Sequence, residues 1–295
     1  MTARIRIAMQ KSGRLTDRSL QLMSRCGLNF AASKDKLFWQ CADFPVDLML
    51  VRDDDIPEYV SDGVCELGIV GINVLTEKLT THARAPVDVV QTLADLDFGH
   101  CRLSLAVPRE FSYQDAHSLE GLRVATSYPV TTTAFLTKRG VKADIVPISG
   151  SVEIAPALRI ADAVCDLVST GETLRSNGLK EVERVLDSQG VLIKTRHQLG
   201  EFEGTVIERL LQRVKGSLKA DQTKYIMMHA PRSSLERIRS ILPGMEDPTI
   251  IPLGDPEKCV VHAVARETVF WETMEALKRA GASAILVMPI EKIID

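Results

Sequence analysis

Residues 162–173 read Asp-Ala-Val-Cys-Asp-Leu-Val-Ser-Thr-Gly-Glu-Thr. The apolar run Ala163–Val168 has the length of a strand buried on both faces, and it carries one acid, Asp166, in its interior. It runs directly into Ser169, Thr170, Gly171, Glu172 and Thr173, a turn with three hydroxyls around a glycine. A buried strand ending in such a turn predicts a β-strand, loop, α-helix unit and therefore an α/β fold. It also predicts a phosphate cradle, because successive backbone N–H groups and hydroxyl donors match phosphate oxygens. Ser/Thr/Gly clusters also make plain turns, so the motif alone leaves both readings open.

Working outward, the first 200 residues alternate strand-like and helix-like patterns. Strands are expected over 4–9, 46–51, 67–71 and 87–93, with helices over 15–26, 54–62 and 72–79. A second series follows over 102–107, 123–127, 144–148, 163–168 and 191–195, with helices after Pro129 and Ser151. Strands spaced by helices predict parallel units whose ligands sit beyond the strands' carboxyl ends. Two such series predict two lobes with a cleft: 1–100 as the first, 101–197 as the second, and a helix over 198–222 returning to the first. From 223 to 295 the order becomes strand, helix, strand, strand, helix, strand, the ferredoxin-like arrangement.

The junctions of the two series are polar where a cleft ligand would lie. The first strand ends in Gln10, Lys11, Ser12, Gly13 and Arg14, and the second in Arg52 followed by Asp53, Asp54 and Asp55. The acids make a good helix start, but an arginine before them is unexpected in a mere cap. Gly71 closes an apolar run without a side chain. In the second lobe, Thr126, Ser127, Tyr128 and Pro129 form one junction, and Ser149, Gly150, Ser151 and Glu153 another. Ser151 also reads as an ordinary N-cap. Together these junctions outline a cleft suited to phosphates and ribose, and an acid followed by Thr-Gly after a strand follows the logic of a phosphoribosyl pyrophosphate (PRPP) site.

Composition narrows the alternatives. The chain has 295 residues, with 36 basic and 39 acidic side chains. So balanced a charge argues against nucleic-acid binding through a general basic field. No apolar stretch approaches the roughly 20 residues needed to cross a bilayer. The amino terminus lacks the apolar core of an export signal. Six cysteines at 26, 41, 65, 101, 165 and 259 form no Cys-x-x-Cys pair, which predicts reduced thiols in a cytoplasmic protein. No Walker A loop, zinc-binding histidine pair or Ser/His/Asp set is visible.

The sequence resembles the long-form ATP phosphoribosyltransferases, which open histidine biosynthesis. The resemblance is carried in order by residues 6–14, 51–57, 97–104, 125–129, 150–156, 162–171 and 283–291. It implies a fold with a type II periplasmic-binding-protein-like core of two α/β lobes, and a ferredoxin-like regulatory domain over 223–295. The implied reaction condenses ATP with PRPP, giving phosphoribosyl-ATP and pyrophosphate, with Mg2+ required. By the resemblance, Ser169, Thr170, Gly171, Glu172 and Thr173 hold the 5-phosphate, with Asp162 and Ala163 completing the PRPP set. Asp166, the expected metal ligand, would act with Glu153 and Arg52 at the reacting centre, and Lys11, Gly13, Arg14 and Gly71 would meet the nucleotide. Met245, Asp247, Thr249, Ser283 and Ala284 would bind histidine as inhibitor, in a homo-oligomer passing between dimer and hexamer. The usual PRPP motif has two adjacent acids before its Thr-Gly, whereas only Asp166 keeps that offset here. A two-lobed binding protein without chemistry, or an amino-acid-sensing regulator, would share the scaffold.

Overall fold

The computed structural model describes residues 4–30, 37–80, 89–242, 244 and 247–294. Its first sheet begins with β1 (Ile5–Gln10), β2 (Phe38–Gln40), β3 (Val46–Val51) and β4 (Leu67–Gly71). β1, β3 and β4 are almost continuously apolar and lie parallel, as strands covered on both faces must. Helices α1 (Thr16–Arg25), α2 (Ile56–Ser61) and α3 (Ile72–Thr80) follow successive strands. Ile56, Val60, Val74, Leu75 and Leu79 bury their apolar faces with β4. The expected strand over 87–93 begins outside the described residues, and its described part is β5 (Val90–Asp95).

The second sheet contains β6 (Cys101–Pro108), β7 (Arg123–Thr126), β8 (Asp144–Pro147), β9 (Ala163–Val168) and β10 (Leu179–Ser188). Its order is β10-β6-β9-β7-β8, with β7, β8 and β9 parallel and β6 and β10 antiparallel. Helix α4 (Pro129–Lys138) and the short α5 (Glu172–Ser176) connect its strands. A helix expected after Ser151 shrinks to one turn, Val152–Ile154. Pro156 disfavours its continuation, and Arg159 takes the left-handed region at φ 58°.

β11 (Gly190–Thr195) does not join the second series. It lies antiparallel between β4 and β5, so the first sheet runs β2-β3-β1-β4-β11-β5. Only Gln189 separates β10 from β11. The chain therefore passes from one sheet to the other as nearly one extended segment. With no helix to turn it round, it enters the first sheet antiparallel, and the sheets are mixed where parallel units were expected.

The chain divides into two compact units, residues 1–21 with 28–207, and 22–27 with 208–295. The first holds both lobes. Helix α6 (Glu201–Asp221), expected to return to the first lobe, contributes its residues from Glu208 onward to the second unit. There Arg25 pairs with Asp221, and Arg213 donates to the Cys26 carbonyl at 3.2 Å. The same unit carries β12 (Thr223–Pro231), α7 (Leu235–Ile241), β13 (Thr249–Pro252), β14 (Lys258–Arg266), α8 (Glu267–Arg279) and β15 (Ser283–Pro289). Its antiparallel order β13-β14-β12-β15 is ferredoxin-like. Ile226, Met228, Cys259, Val261 and Ala263 point from one face of that sheet into a core with Ile238 and Leu277.

Candidate functional site

In the first lobe the loops after β1 and β3 are neighbours because their strands pair to the end, Gln10 beside Val51. Lys11 donates its backbone N–H to the Val51 carbonyl at 2.8 Å. This brings Lys11, Gly13, Arg14 and Arg52 to one edge of the sheet. A cavity of about 570 Å³ is lined there by Lys11, Ser12, Arg52, Asp53, Asp55 and Tyr59, among others. Among the described residues Arg52 makes no ion pair with the three acids that follow it, and Asp54 pairs instead with Lys78 at 3.2 Å. The guanidinium is not committed to capping its own helix.

In the second lobe the turn after β9 is exposed, and Gly171 takes the left-handed region at φ 77°, where a side chain would be strained. Two arginines hold the backbone of this turn. Arg102 donates from Nη1 to the Ser169 carbonyl at 3.1 Å, and Arg175 from Nη2 to the Thr170 carbonyl at 3.2 Å. Glu181 fixes Arg102 through a bidentate pair and accepts from the Ser104 hydroxyl at 2.8 Å. With these carbonyls engaged from behind, the hydroxyls of Ser169, Thr170 and Thr173 remain at the surface. Thr170 Oγ1 accepts only a long bond, 3.4 Å, from the Glu172 N–H.

Asp166 lies within β9, accepting the Leu167 N–H at 2.8 Å. Burial pushes its pKa up to about 6, and the negative charge of Glu153 adds to the rise. These two acids therefore share one neighbourhood. The neighbouring junction is tied by Ser127, which donates to the Ile148 carbonyl at 2.6 Å and accepts from Gly150 at 3.3 Å. Ser151 caps nothing and sits at φ 50°, so the N-cap reading of that serine fails.

Tyr128 joins the two lobes. Its hydroxyl accepts from the Asn73 amide at 2.9 Å. Burial raises its pKa, and the charges of Asp53 and Asp166 raise it further while Arg14 lowers it. This contact sets the junction after β7 against α3 of the first lobe.

Three expected residues are elsewhere. Asp162 directly precedes β9 and Ala163 opens it, while the hydroxyl-rich turn follows the strand's end, about 20 Å away at roughly 3.3 Å per residue. Asp162 there binds Arg123 through three hydrogen bonds of 2.9–3.1 Å, and Ala163 is fully buried. Gly71 is also buried, and a Cβ on it would come within 2.4 Å of the Asn73 amide oxygen. Its missing side chain makes room for Asn73. Asn73, Tyr128, Arg102 and Arg175 were not among the expected site residues. Only Tyr128, directly before a helix-starting proline at a cleft junction, carried a usable sequence signal.

In the C-terminal unit Met245 lies outside the described residues. Asp247 and Thr249 lead into β13, while Ser283 and Ala284 open β15. These strands are opposite edges of one sheet, three strand spacings or about 14 Å apart. The two groups are therefore not at neighbouring loops of one chain.

No helix of the described residues is long and apolar enough to cross a membrane. A family model described as ATP phosphoribosyltransferase matches residues 52–216, and one described as HisG, C-terminal domain, matches 220–292. A curated ATP phosphoribosyltransferase of Maricaulis maris (strain MCS10) is 50% identical over 295 residues, covering 100% of both chains. Two solved structures bear on the fold. The ATP phosphoribosyl transferase (HisG:HisZ) complex from Thermotoga maritima matches 72% of this chain and 98% of that chain, at 24% identity and a TM-score of 0.60. XAC2383 from Xanthomonas citri, bound to chloride ion, matches 75% and 84%, at 11% identity and 0.50. Both likenesses cover most of the chain and bear out the expected α/β fold class. With half of its residues shared with a curated relative from end to end, the chain belongs to the ATP phosphoribosyltransferase family, the pentosyltransferases of the first step of histidine biosynthesis.

Proposed function

We propose that the cleft transfers the 5-phosphoribosyl group of PRPP to N1 of ATP. The adenine N1 lone pair forms a bond to the anomeric carbon. The bond from that carbon to the pyrophosphate oxygen breaks, and its electron pair leaves with pyrophosphate. What supports this reading is membership of the family together with basic loops joined at the ends of β1 and β3 and an exposed, hydroxyl-rich turn at the end of β9. Transfer of this kind needs two substrates aligned and developing charge stabilised, with no side-chain nucleophile.

Ser169, Thr170, Gly171, Glu172 and Thr173 would receive the 5-phosphate, with Arg102 and Arg175 holding their backbone. Lys11, Gly13, Arg14 and Arg52 would meet nucleotide or pyrophosphate oxygens from the first lobe. Among the described residues no group of three or more ligating side chains stands ready for a metal. Mg2+ is commonly held by one or two carboxylates with substrate phosphates and water completing the shell, and Asp166 with Glu153 fits that donor set. When bound, Mg2+ would neutralise charge on the departing pyrophosphate. Asp166 and Glu153 would otherwise repel that pyrophosphate, so the carboxylates and the ion belong together.

The ferredoxin-like module would bind histidine as feedback inhibitor. Because Thr249 and Ser283 sit on opposite edges of its sheet, a pocket using both edges draws on two copies of the chain, which favours a homo-oligomer. A pyrophosphate-release assay tests the catalytic reading. Release is expected only when ATP, PRPP and Mg2+ are all present. PRPP binding with no release would instead support a binding protein without chemistry.

A further inference from the structure

Glu77, on α3 of the first lobe, is 7% exposed, and its carboxylate accepts three hydrogen bonds from the second lobe. Oε1 accepts the Val130 N–H at 2.8 Å. Oε2 accepts the Thr131 N–H at 2.8 Å and the Thr131 hydroxyl at 2.7 Å. These donors form the first turn of α4, whose preceding residue Tyr128 offers no side-chain cap. The helix is thus capped by an acid from the opposite lobe, with the helix dipole favouring the negative charge.

One turn earlier on the same face of α3 lies Asn73, 2% exposed. It donates from Nδ2 to the Tyr128 hydroxyl at 2.9 Å, and its Oδ1 accepts from the Ser188 hydroxyl at 2.7 Å. Ser188 ends β10, where the chain crosses between the sheets. A buried carboxylate is costly unless satisfied, so this contact stabilises only the arrangement in which α3 meets α4. In a parted arrangement, water would hydrate both the acid and the freed N–H groups. The contact therefore favours the arrangement in which the lobes meet over a parted one.

We infer that Glu77 is a positioning residue that sets the separation of the lobes, and so of the nucleotide loops from the phosphate turn. This rests on the transferase reading of the cleft. Glu77 touches neither substrate. It acts by keeping the loop of Lys11–Arg14 opposite Ser169–Thr173 when attack occurs.

The test uses the full-length chain with spin labels at Glu58→Cys on α2 and Lys138→Cys on α4. Both positions are exposed, and all six native cysteines are buried. Electron–electron distance measurement should give a narrow interlobe distribution with Glu77 intact, and a broader or shifted one in Glu77→Ala. Thr131→Val, which removes one of three donors, should give an intermediate distribution. In the unlabelled Glu77→Ala enzyme kcat should fall about ten- to a hundredfold, the usual result of slight misplacement of reacting groups. PRPP binding in the absence of ATP, a property of the second lobe, should not change. If Glu77→Ala fails to fold, Glu77→Gln takes its place: it keeps the volume but loses the charge and turns one of the two acceptor oxygens into a donor. An unchanged distance distribution in the variant overturns the inference whatever the activity. Melting temperature and PRPP affinity collapsing together with kcat would overturn it too, marking an ordinary core residue. Because the distances do not depend on turnover, an inactive wild-type enzyme would count against the transferase reading alone.

Discussion

The carboxyl group of Asp166 is held where water is scarce and another acid, Glu153, is near, so its pKa rises to about 6 from an ordinary 3.8. The folded state therefore binds a proton that the unfolded chain has released, and stability falls as pH rises from about 4 to 6. Above that window the charge is a standing cost. Asp166→Asn should stabilise the free enzyme by about 2 kcal/mol near pH 8, with no gain near pH 4, as chemical denaturation at the two pH values would read. The same variant should lose most pyrophosphate release, because the metal-suited carboxylate is gone. Thr170→Val keeps shape while removing an exposed hydroxyl donor to a dianion. PRPP affinity should fall about ten- to a hundredfold in calorimetry with ATP affinity unchanged. The sequence pointed to Thr170 and Asp166 because both sit at or near the carboxyl end of a recognisable strand. Asp162 precedes the turn by seven residues with all of β9 between them, so a neighbour in sequence is distant in space. Arg123, which claims it, is 39 residues away in sequence.

The turn after β9 is shaped by elements behind it, and the least legible of them is β10. Its residues Leu-Lys-Glu-Val-Glu-Arg-Val-Leu-Asp-Ser are rich in charge. Two bulges, between Glu181 and Glu183 and between Arg184 and Leu186, break the period-two pattern by which a strand is recognised. Yet Glu181 on this edge strand orients Arg102, which orients Ser169. Arg102→Lys would keep a charge but lose the bidentate fork and its third donor. Its pair with Glu181 is partly open to water, so stability should change by no more than about 1 kcal/mol. PRPP affinity should drop about tenfold, as loss of one charge-assisted bond to the turn's backbone would give. A melting curve paired with a PRPP titration checks both halves, and a large stability loss with intact affinity would contradict the account. The β-strand, loop, α-helix units were legible because their apolar runs and helix starts are local signals. The edge strand was not, since its partner β6 lies more than 70 residues away.

For the whole chain, the order of elements in residues 223–295 was readable from periodicity alone. The placing of Thr249 and Ser283 on opposite edges was not, because strand order depends on long-range pairing. Asp247→Ala with Thr249→Ala should leave catalysis intact and weaken histidine inhibition at least several-fold, within a coupling energy of about 1–3 kcal/mol. Inhibition curves on the full-length pair of variants would show it, and histidine without effect on the parent enzyme would end the regulatory reading. The assignment of β11 to the second lobe failed for a related reason: a strand's apolar character does not say which sheet it enters. That strand has a further consequence, for biosynthesis. Gly71 closes β4 and Gly190 opens β11, and the two pair across 118 intervening positions. At 5–20 residues per second, a ribosome needs roughly 6 to 24 s to supply the strand missing between β4 and β5. Until then β4 has a bare edge and β5 has no partner in that sheet, an invitation to pair wrongly with another chain. A nascent chain halted near residue 100 should be bound by chaperones and cleaved by protease, and one halted beyond 230 should resist both.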